Sequence, residues 1–203
     1  MYLCNSNMKT RYILLSLVVA CLVAACGDGH YAPKPTAYLR LTFPPHAYQS
    51  YDTLPLPFTF ELSQQASVQW KKNERGDKWL DLEYPAYGGV VFISYKAMRD
   101  RRDLAKYIDD SYEMLKTHYG IASGIDEQVF CNADRRVYAT TNRLGGKNVA
   151  STYQFWATDS LHHFLHGSFY LDRTPNNDSL QPLIQYIQTD LDHMIETLQW
   201  RED

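Results

Sequence analysis

Three histidines lie close together in the segment His162-His163-x-x-His166, the only histidine cluster in the chain. Imidazole nitrogens bind metal ions, and several that converge on one point would make a metal centre. Successive residues of a strand point to opposite faces, so a strand here would separate His163 from His162 and His166. We therefore expect polar residues at the surface and edge of a sheet, and we predict no metal site.

Asp159 and Ser160 precede these histidines and supply the residue types of a Ser-His-Asp triad. A triad is assembled in space, so adjacency in the sequence does not indicate one. The sequence also lacks the common hydrolase, zincin, redox and phosphate-loop signatures. Gly27-x-Gly29-x-x-Ala32 matches a dinucleotide fingerprint loosely, but no strand precedes it. We therefore predict no catalytic residue and no cofactor, and we predict that the protein is not an enzyme.

The N-terminus has a short basic region and then an apolar run from Tyr12 to Leu22. This run is shorter than the roughly 20 apolar residues of a membrane-spanning helix, so it indicates a cleaved secretory signal rather than an uncleaved anchor. It leads into Val23-Ala24-Ala25-Cys26, which has the aliphatic-small-small-Cys pattern of the bacterial lipobox. In a lipobox the cysteine sulfur receives a diacylglycerol, with acyl chains such as palmitate, and cleavage makes the cysteine the first mature residue. Cys26 is therefore the predicted lipidation site.

Two alternatives affect these boundaries. Val18-Val19-Ala20-Cys21 also fits the lipobox pattern, but cleavage there would leave an apolar stub from Leu22 to Ala25. Met8, the second methionine, is an alternative start of translation. We predict a signal peptide over residues 1–25, a glycine- and proline-containing tether over 26–36, and a single α+β domain over 37–203.

The charge of the mature chain excludes some partners. Loss of Lys9 and Arg11 with the signal leaves 18 basic against 23 acidic residues, a net charge of −5. A nucleic-acid partner would favour a basic stripe, and no run of more than two basic residues occurs in the mature chain. We therefore predict no nucleic-acid binding, and we expect attachment to the membrane through lipid.

The cysteines set a second limit. After cleavage only Cys26 and Cys131 remain, and lipidation of Cys26 leaves no pair for an internal disulfide. Cys131 ends a strand-like run, where a free cysteine is usually a small buried hydrophobic residue. We therefore expect Cys131 to be buried.

Apolar periodicity predicts the order of the elements. Alternation with period two indicates strands, and spacing of three to four indicates helices. The predicted helices run from the capping residue Asp100 to Gly120 and from Asn176 to Trp200. The predicted strands are Ala37–Phe43, Phe58–Leu62, Val68–Lys71, Trp79–Tyr84, Gly89–Lys96, Ile121–Phe130, Arg136–Asn142, Ser151–Thr158 and His163–Asp172. A turn is expected at Gly145–Asn148.

This order predicts an α+β fold with a mostly antiparallel sheet flanked by helices. Each helix has one apolar stripe, so each needs a sheet face to cover. The order is similar to the Mog1/PsbP-like sandwich, a likeness of architecture that carries no information about chemistry.

Several collinear blocks carry a resemblance to a known family. They are Tyr31–Arg40, Trp79–Pro85, Ile93–Lys96, Ile108–Ser111, His118, Gln154–Ser160, His163–Tyr170, Pro175–Leu180 and Ile195–Trp200. Through them the sequence resembles the gliding-motility lipoprotein family GldD of the Bacteroidetes over nearly all of the mature chain. The loop from Ser63 to Asp77 and the turn at Gly145–Lys147 fall outside the resemblance.

The resemblance implies a lipid-anchored cell-envelope protein of gliding motility and of the associated type IX secretion machinery, with a noncatalytic assembly or stabilising role. The implied partners are membrane lipid, through acylated Cys26, and envelope proteins of that machinery. The location is the cell membrane or the outer membrane. Asp28 is the single acidic residue close behind Cys26, which favours a periplasmic face because surface-exported lipoproteins of this phylum carry several.

One rival function is a periplasmic domain that binds a small ligand or modifies an envelope polymer. It requires a deep pocket with convergent polar groups.

O-glycosylation is a separate expectation from the same phylum, whose envelope proteins are often modified at Asp followed by Ser or Thr and an apolar residue. Thr53, Ser160 and Ser179 fit that pattern.

Overall fold

The computed structural model describes residues 11–13, 15–17, 42–72 and 77–201. The chain divides into two units, Met1–Thr36 and Ala37–Asp203. In the first unit, residues 11–13 and 15–17 are helical and exposed. Cys26, the predicted tether and residues 37–41 of the first predicted strand lie outside the described residues.

The second unit contains eleven strands and two helices within its described residues. The strands are β1 (Tyr48–Ser50), β2 (Phe58–Thr59), β3 (Glu61–Ser63), β4 (Ser67–Lys72), β5 (Lys78–Tyr84), β6 (Gly89–Ala97), β7 (Gly124–Asn132), β8 (Val137–Gly145), β9 (Ser151–Thr158), β10 (His163–Leu171) and β11 (Gln199–Trp200). The helices are α1 (Arg101–Lys116) and α2 (Asn177–Thr197).

Seven strands form one sheet in the order β4-β5-β6-β10-β9-β8-β7, and every neighbouring pair is antiparallel. Two small sheets, β1-β3 and β2-β11, accompany it. This confirms the α+β prediction with a mostly antiparallel sheet.

The main core lies between this sheet and α2. Phe155 and Phe169 of the sheet are at most 1% exposed, as are Leu183, Ile187 and Leu191 of the α2 stripe. Full burial of each such side chain contributes roughly 1.5–3 kcal/mol. The apolar stripe predicted for the last helix therefore packs against the sheet and completes the core.

Helix α1 contacts β9 and β10 on the other face of the sheet. Asp100 is its N-cap, and the Asp100 side chain accepts hydrogen bonds from the backbone N–H groups of Arg102 and Asp103, as the sequence predicts. The helix ends at Lys116, and residues 117–121 continue as turns, so it is shorter than predicted.

The turn predicted at Gly145–Asn148 is present between β8 and β9. Gly146 has φ +131°, a conformation that favours glycine. The Asn177 side chain donates to the carbonyl oxygens of Gly146 and Val149, both at 2.8 Å, and so fixes the start of α2 to this turn.

The predicted strand at residues 37–43 is wrong where it can be compared, since Thr42 and Phe43 are not in a strand. The Phe43 ring instead stacks on Tyr186 of α2, with centroids 4.7 Å apart. Phe43 belongs to the apolar alternation that predicted a strand, but its side chain packs against a helix and not against a neighbouring strand.

Candidate functional site

The structure separates the three histidines of the sequence cluster. His162 lies in the turn before β10 with its side chain 72% exposed. His163 faces the α2 side, where its Nδ1 lies 2.9 Å from the Tyr95 hydroxyl and its ring stacks on Trp200. His166 faces α1 on the other side of the sheet. Strand alternation separates His163 from His166 as expected, whereas His162 precedes the strand. The expected surface and edge position is wrong for His163, which is buried on β10 in the middle of the sheet.

Asp159 organises the turn before β10. Its Oδ1 accepts hydrogen bonds from the backbone N–H groups of Leu161, His162 and His163 at 2.8–2.9 Å. Burial acts to raise the pKa of this carboxyl, but the three hydrogen bonds outweigh it and lower the pKa. The Asp159 carboxylate is therefore engaged in the hydrogen bonds that form this turn. The next residue, Ser160, has φ +68°.

Metal-ligating side chains do not converge in the described part of the chain. No group of three or more His, Cys, Asp or Glu side chains there could hold a metal ion.

Cys131 is exposed, so the expectation of a buried cysteine is wrong. It lies on β7, the outermost strand of the sheet, where only one neighbouring strand, β8, limits exposure. An edge strand leaves more side-chain surface accessible than a central strand does.

A polar cluster around one buried carboxylate lies between α2 and residues 43–48. It was not predicted from the sequence. Asp190 is fully buried, and its Oδ1 lies 2.6 Å from Nδ1 of His46. The Tyr84 hydroxyl and Oδ2 of Asp190 are buried and have no hydrogen-bond partner among the described residues. Burial, and then the charge of Asp190, raises the pKa of Tyr84 and raises that of Tyr48 to about 12.

Stacked rings extend this cluster along α2. His46 stacks on Tyr186 with centroids 4.4 Å apart, and Tyr48 stacks on His193 at 3.6 Å. His193 in turn lies 2.8 Å from the carboxylate of Glu61. These contacts hold residues 43–48 against the domain, and we call them the N-terminal clamp.

One signal in the sequence could have indicated the clamp. Asp190 occupies the apolar stripe of α2, three residues after Ile187 and four before Met194. A charged residue in a core-facing position requires a hydrogen-bonding or charged partner. The sequence does not identify that partner, because His46 lies 144 residues away.

A polar groove of about 530 Å³ lies between α2 and the ends of β8 and β9. Arg143 in this groove pairs with Asp192 at 2.5 Å, and the Tyr153 hydroxyl donates to the other Asp192 oxygen at 2.7 Å. Nη1 of Arg143 is buried and has no hydrogen-bond partner among the described residues. Gln185, exposed on α2, is a further polar group in the lining. The groove therefore has the size and convergent polar groups of a small-ligand site.

The three predicted glycosylation positions differ in exposure. Thr53 is exposed, whereas Ser160 and Ser179 are half-buried. The Ser179 hydroxyl also accepts a hydrogen bond from the Asn176 side chain at 3.2 Å. Modification remains a prediction at all three.

Comparison with known proteins identifies first a class and then a family. The α+β domain matches a family of lipoproteins, proteins that are held at a membrane of the cell envelope by lipid. The match covers residues 28–200 and is described as gliding motility lipoprotein GldD, and the chain belongs to this family. No curated protein and no solved structure matches the chain. The likeness to the Mog1/PsbP-like sandwich therefore remains a prediction.

Among the described residues, no helix combines the length and apolarity that crossing a membrane requires.

Proposed function

We propose that this protein is a lipid-anchored accessory protein of the cell envelope that serves gliding motility and the type IX secretion machinery. Its role is noncatalytic, and it assembles or stabilises a partner protein. Membership of the gliding motility lipoprotein family is the observation that carries this proposal. Lipid on Cys26 holds the protein to the cell membrane or the outer membrane, with the domain facing the periplasm.

The N-terminal clamp supports a role as an anchored domain. Residues 43–48 follow the predicted tether, and any load on a lipid at Cys26 would reach the domain through them. His46 and Tyr48 attach this segment to α2 by the contact of His46 with Asp190 and by the stacked rings. The anchor would therefore join the domain at a fixed point.

Cell fractionation of a Cys26→Ala variant tests the anchor. We expect this variant to leave the membrane fraction while its far-UV circular dichroism matches that of the unmodified domain. Cys131→Ala is the matched control and should stay in the membrane fraction. Membrane retention of the Cys26→Ala protein would show that the anchor has been assigned wrongly.

The role in secretion is tested in a deletion strain. We expect loss of gliding and of type IX secretion, with crosslinking in the complemented strain recovering components of that machinery. Normal secretion in the deletion strain, together with crosslinks to none of those components, would overturn the proposal.

The polar groove favours a second candidate function, a periplasmic domain that binds a small ligand or acts on an envelope polymer. Arg143 is held by Asp192, and its Nη1 has no hydrogen bond from the described residues, with Oδ2 of Asp126 3.8 Å away. Titration of the purified domain with envelope glycan and peptide fragments tests this function. Binding that is lost in Arg143→Gln would support it, and an absence of binding to every fragment would reject it.

A further inference from the structure

Polar residues line the interface between α1 and the sheet, where apolar packing would be expected. Asn142 of β8 lies opposite Gln154 of β9 in the strand register, and the two residues are 4% and 3% exposed. Asn142 Oδ1 and Gln154 Oε1 are both buried and have no hydrogen-bond partner among the described residues. Two neighbouring buried acceptors without donors are unfavourable for the folded state.

The next row of the sheet adds two more polar groups. Trp156 of β9 lies opposite His166 of β10, and the indole Nε1 of Trp156 is buried without a partner in the described structure. Burial, and then the charge of Lys96, lowers the pKa of His166 to about 4. His166 therefore adds no charge to this interface at neutral pH.

A void of about 10 Å³ lies among Asn142, Gln154, Trp156 and His166. A void of this size can hold about one water molecule when two to four polar partners surround it. One water would satisfy part of the polar row, and nothing larger fits at this depth.

A wider pocket of about 440 Å³ lies beside this void. Tyr112, Leu115 and Asn142 line both spaces, so Asn142 belongs to the lining of each. Exposed Tyr119 and half-buried Ile125 add apolar walls to the pocket. The pocket therefore has apolar walls and a polar, uncharged base.

At the rim, the Tyr112 hydroxyl donates to the Glu127 carboxylate at 3.0 Å. Glu127 is exposed at the rim, whereas the acceptor that lacks a donor, Asn142 Oδ1, lies at the base.

We propose that this pocket binds a tyrosine side chain of a partner protein. The ring lies between Leu115, Tyr119 and Ile125, and the hydroxyl donates to Asn142 Oδ1, directly or through a bridging water. A lysine would bring an unpaired charge to the base beside Asn142, and a phenylalanine would leave the Asn142 acceptor unsatisfied. Buried aromatic anchors of this kind are common centres of protein interfaces. The identity of the occupant as a partner residue rests on the proposed accessory function, whereas the chemistry of the pocket does not.

Binding of p-cresol and toluene to the purified domain tests the chemistry of the pocket. We expect p-cresol to shift the methyl resonances of Leu115 and Ile125 and to bind about fivefold more tightly than toluene, the ratio that one net hydrogen bond supplies. Asn142→Leu should bring the ratio close to one. Thr141→Val, the neighbouring buried position on the opposite face of β8, is the matched control and should keep the ratio. Equal affinities in the unmodified protein would overturn the proposal.

Tyr119→Ala provides a test that does not disturb the core, because Tyr119 is 54% exposed. Loss of this wall should weaken the binding of p-cresol and the binding of toluene by about fivefold each. Unchanged binding would overturn the proposal even if Asn142→Leu fails to fold.

Photocrosslinking from position 119 in cells tests the occupant. A crosslinked peptide whose capture is lost when its tyrosine is changed to phenylalanine would support the proposal, whereas crosslinks only to lipid or to peptides without tyrosine would overturn it. Normal secretion in the deletion strain would reject the proposed function without affecting the p-cresol result, so the two failures are distinguishable.

Discussion

Nδ1 of His46 lies 2.6 Å from Oδ1 of Asp190, although the two residues are 144 positions apart in the chain. Asp190 is fully buried on α2, whereas the His46 side chain is 33% exposed. The pair connects the segment next to the predicted anchor with the helix that closes the core.

Replacement of His46 should destabilise the domain. His46→Ala leaves the buried Asp190 carboxylate without its imidazole partner, and we expect a loss of about 2 kcal/mol in the free energy of unfolding. Urea denaturation measures the loss. His162→Ala, at an exposed position, is the control and should change stability by less than about 0.5 kcal/mol. The same small change in both variants would show that the clamp contributes nothing.

Gly167 should not tolerate a side chain. A Cβ at this position of β10 would overlap the ring of the buried Phe155, so Gly167→Ala should lower stability by about 1–3 kcal/mol. Gly124→Ala is the matched control, because no atom lies within 4 Å of the added Cβ. Thermal unfolding of the two variants measures the difference, and a Gly167→Ala domain as stable as the control would contradict the packing described for this face.

Stability should fall as the pH decreases from about 6.5 to 4. The pKa of His166 in the folded protein is lowered to about 4, so the unfolded chain takes up a proton in this range that the folded protein excludes. The resulting loss is about 3 kcal/mol at most. Urea denaturation across this range should show a smaller loss for His166→Gln than for the unmodified domain. Identical pH dependence in the two proteins would indicate that His166 is accessible to solvent.

Cys131 should react with a maleimide in the native protein. Its position on the edge strand exposes the thiol, so labelling should proceed without denaturant. Cys131→Ser is the control that assigns the modification by intact mass. A thiol that reacts only after unfolding would mean that another molecule or segment covers this edge.

Much of the fold could be predicted because the patterns that indicate it are local. The capping interaction of Asp100, the turn at Gly145–Asn148 and the apolar stripe of α2 each depend on residues within a few turns of one another. Short-range spacing therefore predicted the order and type of most elements. The predicted strand at residues 37–43 is wrong in its described part, residues 42–43, because the apolar side chain of Phe43 packs against a distant helix instead of a strand.

The candidate sites were harder to predict, because each is built by strand order and helix placement. Asn142 and Gln154 belong to neighbouring strands, but only the placement of α1 above them buries both without partners. Arg143 of β8 and Asp192 of α2 are likewise brought together only by the packing of α2 on the sheet.

The sequence by itself determined most of the elements, the antiparallel α+β class and the family, because hydrophobic periodicity and collinear blocks are properties of the linear chain. The predicted lipidation of Cys26 also rests on the sequence alone. Only the tertiary structure decided which polar groups became buried and with which partners. Exposure of Cys131, the low pKa of His166 and the pairing of His46 with Asp190 depend on which elements cover which faces. Side-chain exposure is set by these long-range contacts, and local spacing does not encode them.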